Sequence, residues 1–150
     1  MSVQRDRPYP NSNFLVDLGD GVTDTPQAGL IEVVFPDARI RVFEYRNGND
    51  KSNEPQKITT QTEYGNLVLR RATSGALNWY QWWSDVRNGD QHGFRTVTVQ
   101  LRNEDHTQVV LTWKFLRARP VNHRFAPLVG HDNAALVETL ELAFERLEME

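Results

Sequence analysis

Thr96-Val97-Thr98-Val99-Gln100-Leu101, the turn Asn103-Glu104-Asp105-His106, and the return Gln108-Val109-Val110-Leu111-Thr112-Trp113-Lys114-Phe115 decide the fold class. On the outgoing run Val97, Val99 and Leu101 alternate with Thr96, Thr98 and Gln100. On the return Val109, Leu111, Trp113 and Phe115 alternate with Gln108, Thr112 and Lys114. Side chains of a strand point to opposite faces in turn, so this pattern predicts an antiparallel hairpin with one face buried and one wet.

Upstream, residues 74–86 have the period of a helix. Ala76, Trp79, Tyr80, Trp83 and Val86 recur at helical spacing and form one apolar face, with Trp82 at its edge. Ser74 is expected to cap the first turn by accepting from free backbone amides. Asn88-Gly89 stops the helix, Gly89 being suited to a left-handed cap. Residues 14–18, 30–35, 39–46 and 64–71 read as strands from their β-branched and apolar content. Gly19-Asp20-Gly21 reads as a turn, and Pro36-Asp37 as a break. Residues 1–12 read as an extended arm, held out of helix by Pro8 and Pro10.

Residues 47–57 have no apolar anchor and hold Gly48, Asn47, Asn49, Asn53, Asp50, Ser52 and Pro55. They predict a loop or a hairpin tip. Composition leaves open whether it is merely solvated or functional, long polar loops in compact domains often being the latter. The C-terminal segment is ambiguous. Leu136, Leu140, Phe144 and Leu147 suggest a helix, whereas Leu140, Leu142 and Phe144 suggest a strand, and the periodicity leans helical. The whole predicts a single domain over residues 1–150, a mainly β antiparallel barrel or sandwich with one amphipathic helix across it.

Composition narrows function. The 150 residues carry a net charge of −3 and no cysteine. The 17 Lys and Arg are scattered rather than gathered into the stripe a duplex binder needs, so no specific nucleic-acid binding is expected. Thiolate metal sites and a cysteine nucleophile are excluded. No run is long and apolar enough to span a bilayer, and residues 1–13 lack the apolar centre of a signal peptide.

His92, His106, His123 and His131 have no zinc-site spacing, and His131-Asp132 matches a metal dyad only as a dipeptide. Phosphate-binding glycine motifs and the nucleophile elbow are absent. The sequence therefore predicts no enzyme, no metal and no cofactor. Trp79, Trp82 and Trp83 have two readings: a carbohydrate platform on a monomeric β module, or a helix face docked on a sheet. The i,i+4 spacing of Trp79 and Trp83 with Tyr80 between them favours docking.

Several blocks, in order, resemble the inner-tube proteins of contractile tails. Asn13-Phe14-Leu15-Val16 resembles the family's start. Glu44-Tyr45-Arg46-Asn47-Gly48-Asn49-Asp50 resembles its Glu-Tyr-Arg-x-Gly-x-Asp signature. Thr62-Glu63-Tyr64-Gly65-Asn66-Leu67-Val68-Leu69-Arg70-Arg71 resembles its Tyr-Gly-Asn block, and a Trp-rich helix ending in Asp85-Val86-Arg87-Asn88-Gly89 follows. Arg119-Pro120-Val121 and Glu138-Thr139-Leu140-Glu141-Leu142-Ala143-Phe144-Glu145-Arg146-Leu147 resemble its closing elements. The family comprises myophage tail tubes and the tubes of extracellular contractile injection systems, and is related to the haemolysin-coregulated protein.

The resemblance implies a tail-tube fold with the C-terminal segment as a strand. It also implies subunits in hexameric rings that stack into a hollow tube carrying DNA or effector proteins. Sheath, baseplate and tube-terminating proteins are the implied partners. The implied location is a phage tail or extracellular injection particle, assembled from subunits made in the bacterial cytoplasm. Under it the arm and the 47–57 loop reach the next ring, with Arg46, Asn47, Gly48, Asn49, Asp50, Lys51 and Glu54 as contacts, while Trp79, Tyr80, Trp83 and Val86 pack the helix. Two departures carry expectations. Phe35-Pro36 stands where the family has Ser-Gly-Leu, so that turn differs; Arg146 replaces a common glycine, so the last strand continues rather than bends.

Overall fold

A computed structural model describes residues 1–19, 30–49, 51–90, 92–131 and 133–150. Asp20 and Gly21 of the expected turn, Asp50 of the tip and Asp132 of the His131-Asp132 dipeptide lie outside the described residues. The described residues form β1 (Phe14–Asp17), β2 (Leu30–Val34), β3 (Ala38–Tyr45), β4 (Gln56–Tyr64), β5 (Leu67–Ala72), α1 (Asn78–Arg87), β6 (Arg95–Arg102), β7 (Val109–Phe125), β8 (Val137–Ala143) and β9 (Arg146–Met149).

The alternating hairpin is present as β6 and β7, paired from Arg95↔Ala118 to Arg102↔Val109. β7 runs on for 17 residues and serves two halves of one curled sheet of order β1-β6-β7-β8-β5-β2. Up to Ala118 it pairs with β6; from Arg119 to Phe125 it pairs with β8. Arg117 takes a positive φ of 55° where the strand passes from one half to the other, the local kink by which strands turn sheet corners. β9 pairs with the same β7, Leu116↔Arg146 to Trp113↔Met149, in the register that Arg119↔Ala143 begins. The Glu145 amide donates to the Leu116 carbonyl at 3.0 Å across the gap. The C-terminal segment is thus two strands in one register along β7, broken at Phe144 and Glu145, so the unbroken strand expected from the arginine at 146 is not formed.

The two halves enclose the core. Val97, Val99 and Phe115 come from one half, Leu67, Leu69, Leu140 and Leu142 from the other, and Trp79 and Trp82 from the helix. One expectation for β7 needs correction. Val110 and Thr112, on the face predicted to be wet, are buried as well. Both chain ends lie along this part of the strand: the Val3 amide donates to the Val110 carbonyl at 2.9 Å, and Thr112 and Glu150 exchange backbone bonds.

The helix also departs from its predicted start. It begins at Asn78, not near Ser74, and no side chain caps it. Gly75 has φ 89° and breaks the path. Arg71 fixes the entry instead, donating from Nη1 to Asn78 Oδ1 at 2.9 Å and from Nη2 to the Ala76 carbonyl at 3.2 Å. Gly89, at φ 86°, ends the helix as expected, its amide donating to the Val86 carbonyl at 3.1 Å.

β4 is not legible as a strand from its residues, and the expected strand over 64–71 is divided. Gly65 and Asn66 separate β4 from β5, as residues 35–37 separate β2 from β3. Residues 30–72 therefore form one long bent hairpin. Its near half, β2 with β5, belongs to the sheet; its far half, β3 with β4, stands apart as a two-stranded ribbon. At the bend the Gly65 amide donates to the Asp37 carbonyl at 3.0 Å, and a Cβ on Gly65 would come within 2.6 Å of Asp37 Oδ1. Gly65→Ala is expected to lower stability by about 1 kcal/mol, through displacement of Asp37 and its bond to Arg39. Thermal unfolding by circular dichroism measures it, and an unchanged midpoint would show that the bend tolerates a side chain.

Candidate assembly surfaces

The ribbon is the part of the molecule least satisfied by its own chain. Every residue of β3 is exposed, and of β4 only Glu63 and Tyr64 are partly covered. Yet Ile40, Val42, Phe43, Tyr45 and Ile58 lie on it, Phe43 at 58% exposure and directly opposite Ile58. An isolated two-stranded hairpin is marginal in water, and contiguous bare apolar surface marks a contact site. Among the described residues β3 and β4 pair only with each other, so each keeps a free edge.

Charged pairs fix the base of the ribbon. Arg39 Nε donates to Glu63 Oε2 at 3.1 Å and its Nη1 to Asp37 Oδ2 at 2.9 Å, while Arg41 Nη2 lies 2.7 Å from Glu63 Oε1. The bonds to Glu63 and then Asp37 hold the Arg39 guanidinium above its ordinary pKa. These partners lie in solvent and serve register rather than stability.

The residues singled out for contact gather at the far end. Arg46, Asn47, Gly48, Asn49, Lys51 and Glu54 are all exposed in the turn between β3 and β4. Arg46 Nε donates to the Ser52 carbonyl at 2.9 Å, the Tyr45 hydroxyl bonds to Asn47 Oδ1 at 3.2 Å, and the Glu54 amide donates to Ser52 Oγ at 3.1 Å. The loop ends two residues earlier than its predicted boundary, because Gln56 and Lys57 already pair with Tyr45 and Glu44. The apolar shaft is a surface that the sequence reading missed. Its signal is two interleaved series on β3, Ile40 and Val42 against Phe43 and Tyr45, which make both faces apolar.

On the helix, Trp79 is buried, Val86 packs on the core, Trp83 is half-buried under Arg87, and Tyr80 is 43% exposed. Trp82, expected at the edge, is 1% exposed. The Trp79–Trp82 side of the helix faces inward, and Trp82 Nε1 donates to the Gly93 carbonyl. With those two indoles in the core, the coplanar exposed platform that a carbohydrate module requires is not formed.

Among the described residues β1 and β2, the two ends of the sheet path, and β9, which pairs only with β7, also keep free edges. No helix among the described residues is long and apolar enough to cross a membrane.

Comparison with solved structures finds this fold in contractile assemblies. A chain of the anti-feeding prophage baseplate, 6-fold symmetrised, superposes with a TM-score of 0.82 at 22% identity, covering 97% of each chain. A chain of the PVC sheath-tube complex, from an extracellular contractile injection system in its extended state, gives 0.79 at 23% identity over 97% of this chain and 93% of that one. Hcp1 from Flavobacterium johnsoniae gives 0.61 at 16% identity over 91% and 94%. No curated protein sequence matches. The sequence profile of the T4-like virus tail tube protein gp19 family matches residues 10–148, and with that span nearly the whole of its length, the chain belongs to the T4-like virus tail tube protein family.

Proposed function

We propose that this chain is a mechanical rather than a catalytic subunit: six copies close into a ring, and rings stack into the inner tube of a contractile tail or injection particle. The observation that carries the reading is the bare ribbon. A strand pair with apolar side chains on both faces and two free edges is unsatisfied in a lone subunit, and neighbours placed by ring symmetry satisfy it. Contact around the ring is heterologous and closes; contact along the axis is heterologous and does not, so a filament grows. The 6-fold symmetry and sheath-tube context named for the relatives accord with this.

In this reading the shaft of the ribbon meets the neighbour within the ring, and the polar tip from Arg46 to Glu54, with residues 1–12, meets the next ring. A charged tip suits a contact that forms on a template, because like surfaces in solution do not clump. Sheath, baseplate and terminating proteins bound the tube, and DNA or effector proteins pass through its lumen.

Electron microscopy of the purified protein, with light scattering against concentration, tests the reading. The wild type is expected to form rings and stacks. Phe43→Asp with Ile58→Asp puts two charges on one cross-strand pair and is expected to raise the concentration needed for assembly by about 30-fold, the scale of one interface hot spot. Its melting temperature should change little, because the ribbon lies outside the core. A wild type that stays a single particle at every concentration overturns the reading, as does assembly of the variant at the wild-type concentration.

A further inference from the structure

Pro8 and Pro10 predict an extended arm, held out of helix. Its residues gather around one side chain. Arg5 Nε donates to the Arg7 carbonyl and Nη2 to the Pro8 carbonyl, each at 2.9 Å. Its two terminal nitrogens also grip the Glu104 carboxylate in the β6–β7 turn, at 2.9 and 2.5 Å. The guanidinium lies over the Tyr9 ring, 3.8 Å from its centroid. The Tyr9 hydroxyl donates to the Val3 carbonyl at 2.8 Å, and the Val3 amide donates to Val110 at 2.9 Å. Glu104 is held at about 2 by its bonds from Arg5, so it is charged above the ordinary carboxylate range and the grip loosens only as pH falls from about 4.5 toward 2.

Beneath the arm lies the seam of the fold. Among the described residues the edge strands β1 and β2 leave between them an apolar cleft of about 420 Å³, lined by Phe14, Ile31, Val33, Leu101 and Trp113, and bounded by Tyr9 and Pro10 of the arm. Two open edges beside apolar side chains are a template for uncontrolled pairing. The free edge of β2 also runs through residues 35–37 into the free edge of β3. A neighbour's strand that pairs along β3 is therefore led down onto β2, where the arm lies.

We propose that the arm is a strap, keyed by Arg5 on Glu104, which shields the β1–β2 seam in the unassembled subunit and yields that seam to a second copy of the chain as the ring closes. The proposal rests on the ring reading for its occupant. The lock suits a reversible strap: a bidentate grip is specific in geometry, while an ion pair in solvent holds weakly enough to be displaced.

Amide hydrogen exchange, fluorescence of an apolar dye and assembly followed by light scattering test the strap, in wild type, Glu104→Ala, Arg5→Ala and the double variant. Each single variant is expected to raise exchange at the Val3 amide, dye binding and the initial assembly rate by about threefold, the scale of an exposed ion pair. The double variant should go no further than Arg5→Ala, because Glu104→Ala removes only a contact that Arg5→Ala already removes. Unchanged exchange and dye binding overturn the strap whether or not the protein assembles. Faster exchange with slower ring closure, seen apart from stacking by electron microscopy, overturns it too, since the arm would then be a required contact within the ring and not a shield. A wild type that never assembles sinks the ring reading by itself, leaving the exchange and dye results to judge the shielding.

Discussion

Glu138→Ala is expected to lower the free energy of unfolding by about 3–5 kcal/mol and the melting temperature by about 6–20 °C. Glu138 and Arg71 are each about 2% exposed in their side chains and meet at 2.7 Å between Arg71 Nε and Glu138 Oε1. The second carboxylate oxygen lies 2.6 Å from His123 Nε2. Arg71 also holds Asn78 and Ala76 at the helix entry and lies over the Trp79 ring, its Cζ 4.2 Å from the centroid. Removing the carboxylate strands a guanidinium in the core and leaves His123 without its partner, whereas the pair itself contributes little net stability, since desolvation offsets most of its attraction.

The matching expectation is that Arg71→Met with Glu138→Leu recovers part of the loss, because no guanidinium is left stranded in the core, while the bonds to Asn78 and Ala76 at the helix entry stay lost. Chemical denaturation of the three proteins measures this. A Glu138→Ala cost under about 1 kcal/mol would show that the network is solvated and does not anchor the helix.

Trp82→Ala is expected to cost about 3–5 kcal/mol, and Tyr80→Ala within about 0.5 kcal/mol. The two residues are close neighbours on one helix, and the sequence pattern ranks them the other way round. Trp82 fills the core, donates Nε1 to the Gly93 carbonyl and is covered by Arg95, whose Cζ lies 4.7 Å from its ring centroid. Alanine there leaves a cavity and strips a carbonyl of its donor. Tyr80 stands half in water beside Trp83 and His123.

Phenylalanine separates the two losses. Trp79 Nε1 has no hydrogen-bond partner among the described residues, so Trp79→Phe loses packing alone, while Trp82→Phe loses packing and the Gly93 bond. Trp82→Phe should therefore be the more damaging by about 1 kcal/mol. A larger loss for Tyr80→Ala than for Trp82→Ala would mean that the helix is turned the other way.

Residues whose partner lies nearby along the chain, or whose burial is one-sided, are legible in the sequence alone. Val97 to Leu101 announce β6 because one face of that strand meets the core, which imprints a period of two on the sequence, and Val109 to Phe115 keep that period although Val110 and Thr112 are buried as well. Gly89 announces the end of the helix because a left-handed backbone is a local demand. The Tyr64-Gly65-Asn66 block carries the family resemblance, and that resemblance resolves a C-terminal segment whose own periodicity leans toward helix.

What the tertiary structure decided is of another kind. β4 has no buried face of its own, so Gln56 to Glu63 show no alternation, and only pairing with β3 makes them a strand. Arg71, His123 and Glu138 are far apart in sequence and become one network only when β5, β7 and β8 lie side by side; Arg71 of that network holds Asn78 and Ala76 at the helix entry. The arm reads as extended from Pro8 and Pro10 because nothing local reveals that Glu104, 99 residues away, will hold Arg5. Periodicity reports the environment of a residue along its own strand or helix, whereas long-range ion pairs and strand edges depend on which distant segments the fold brings together.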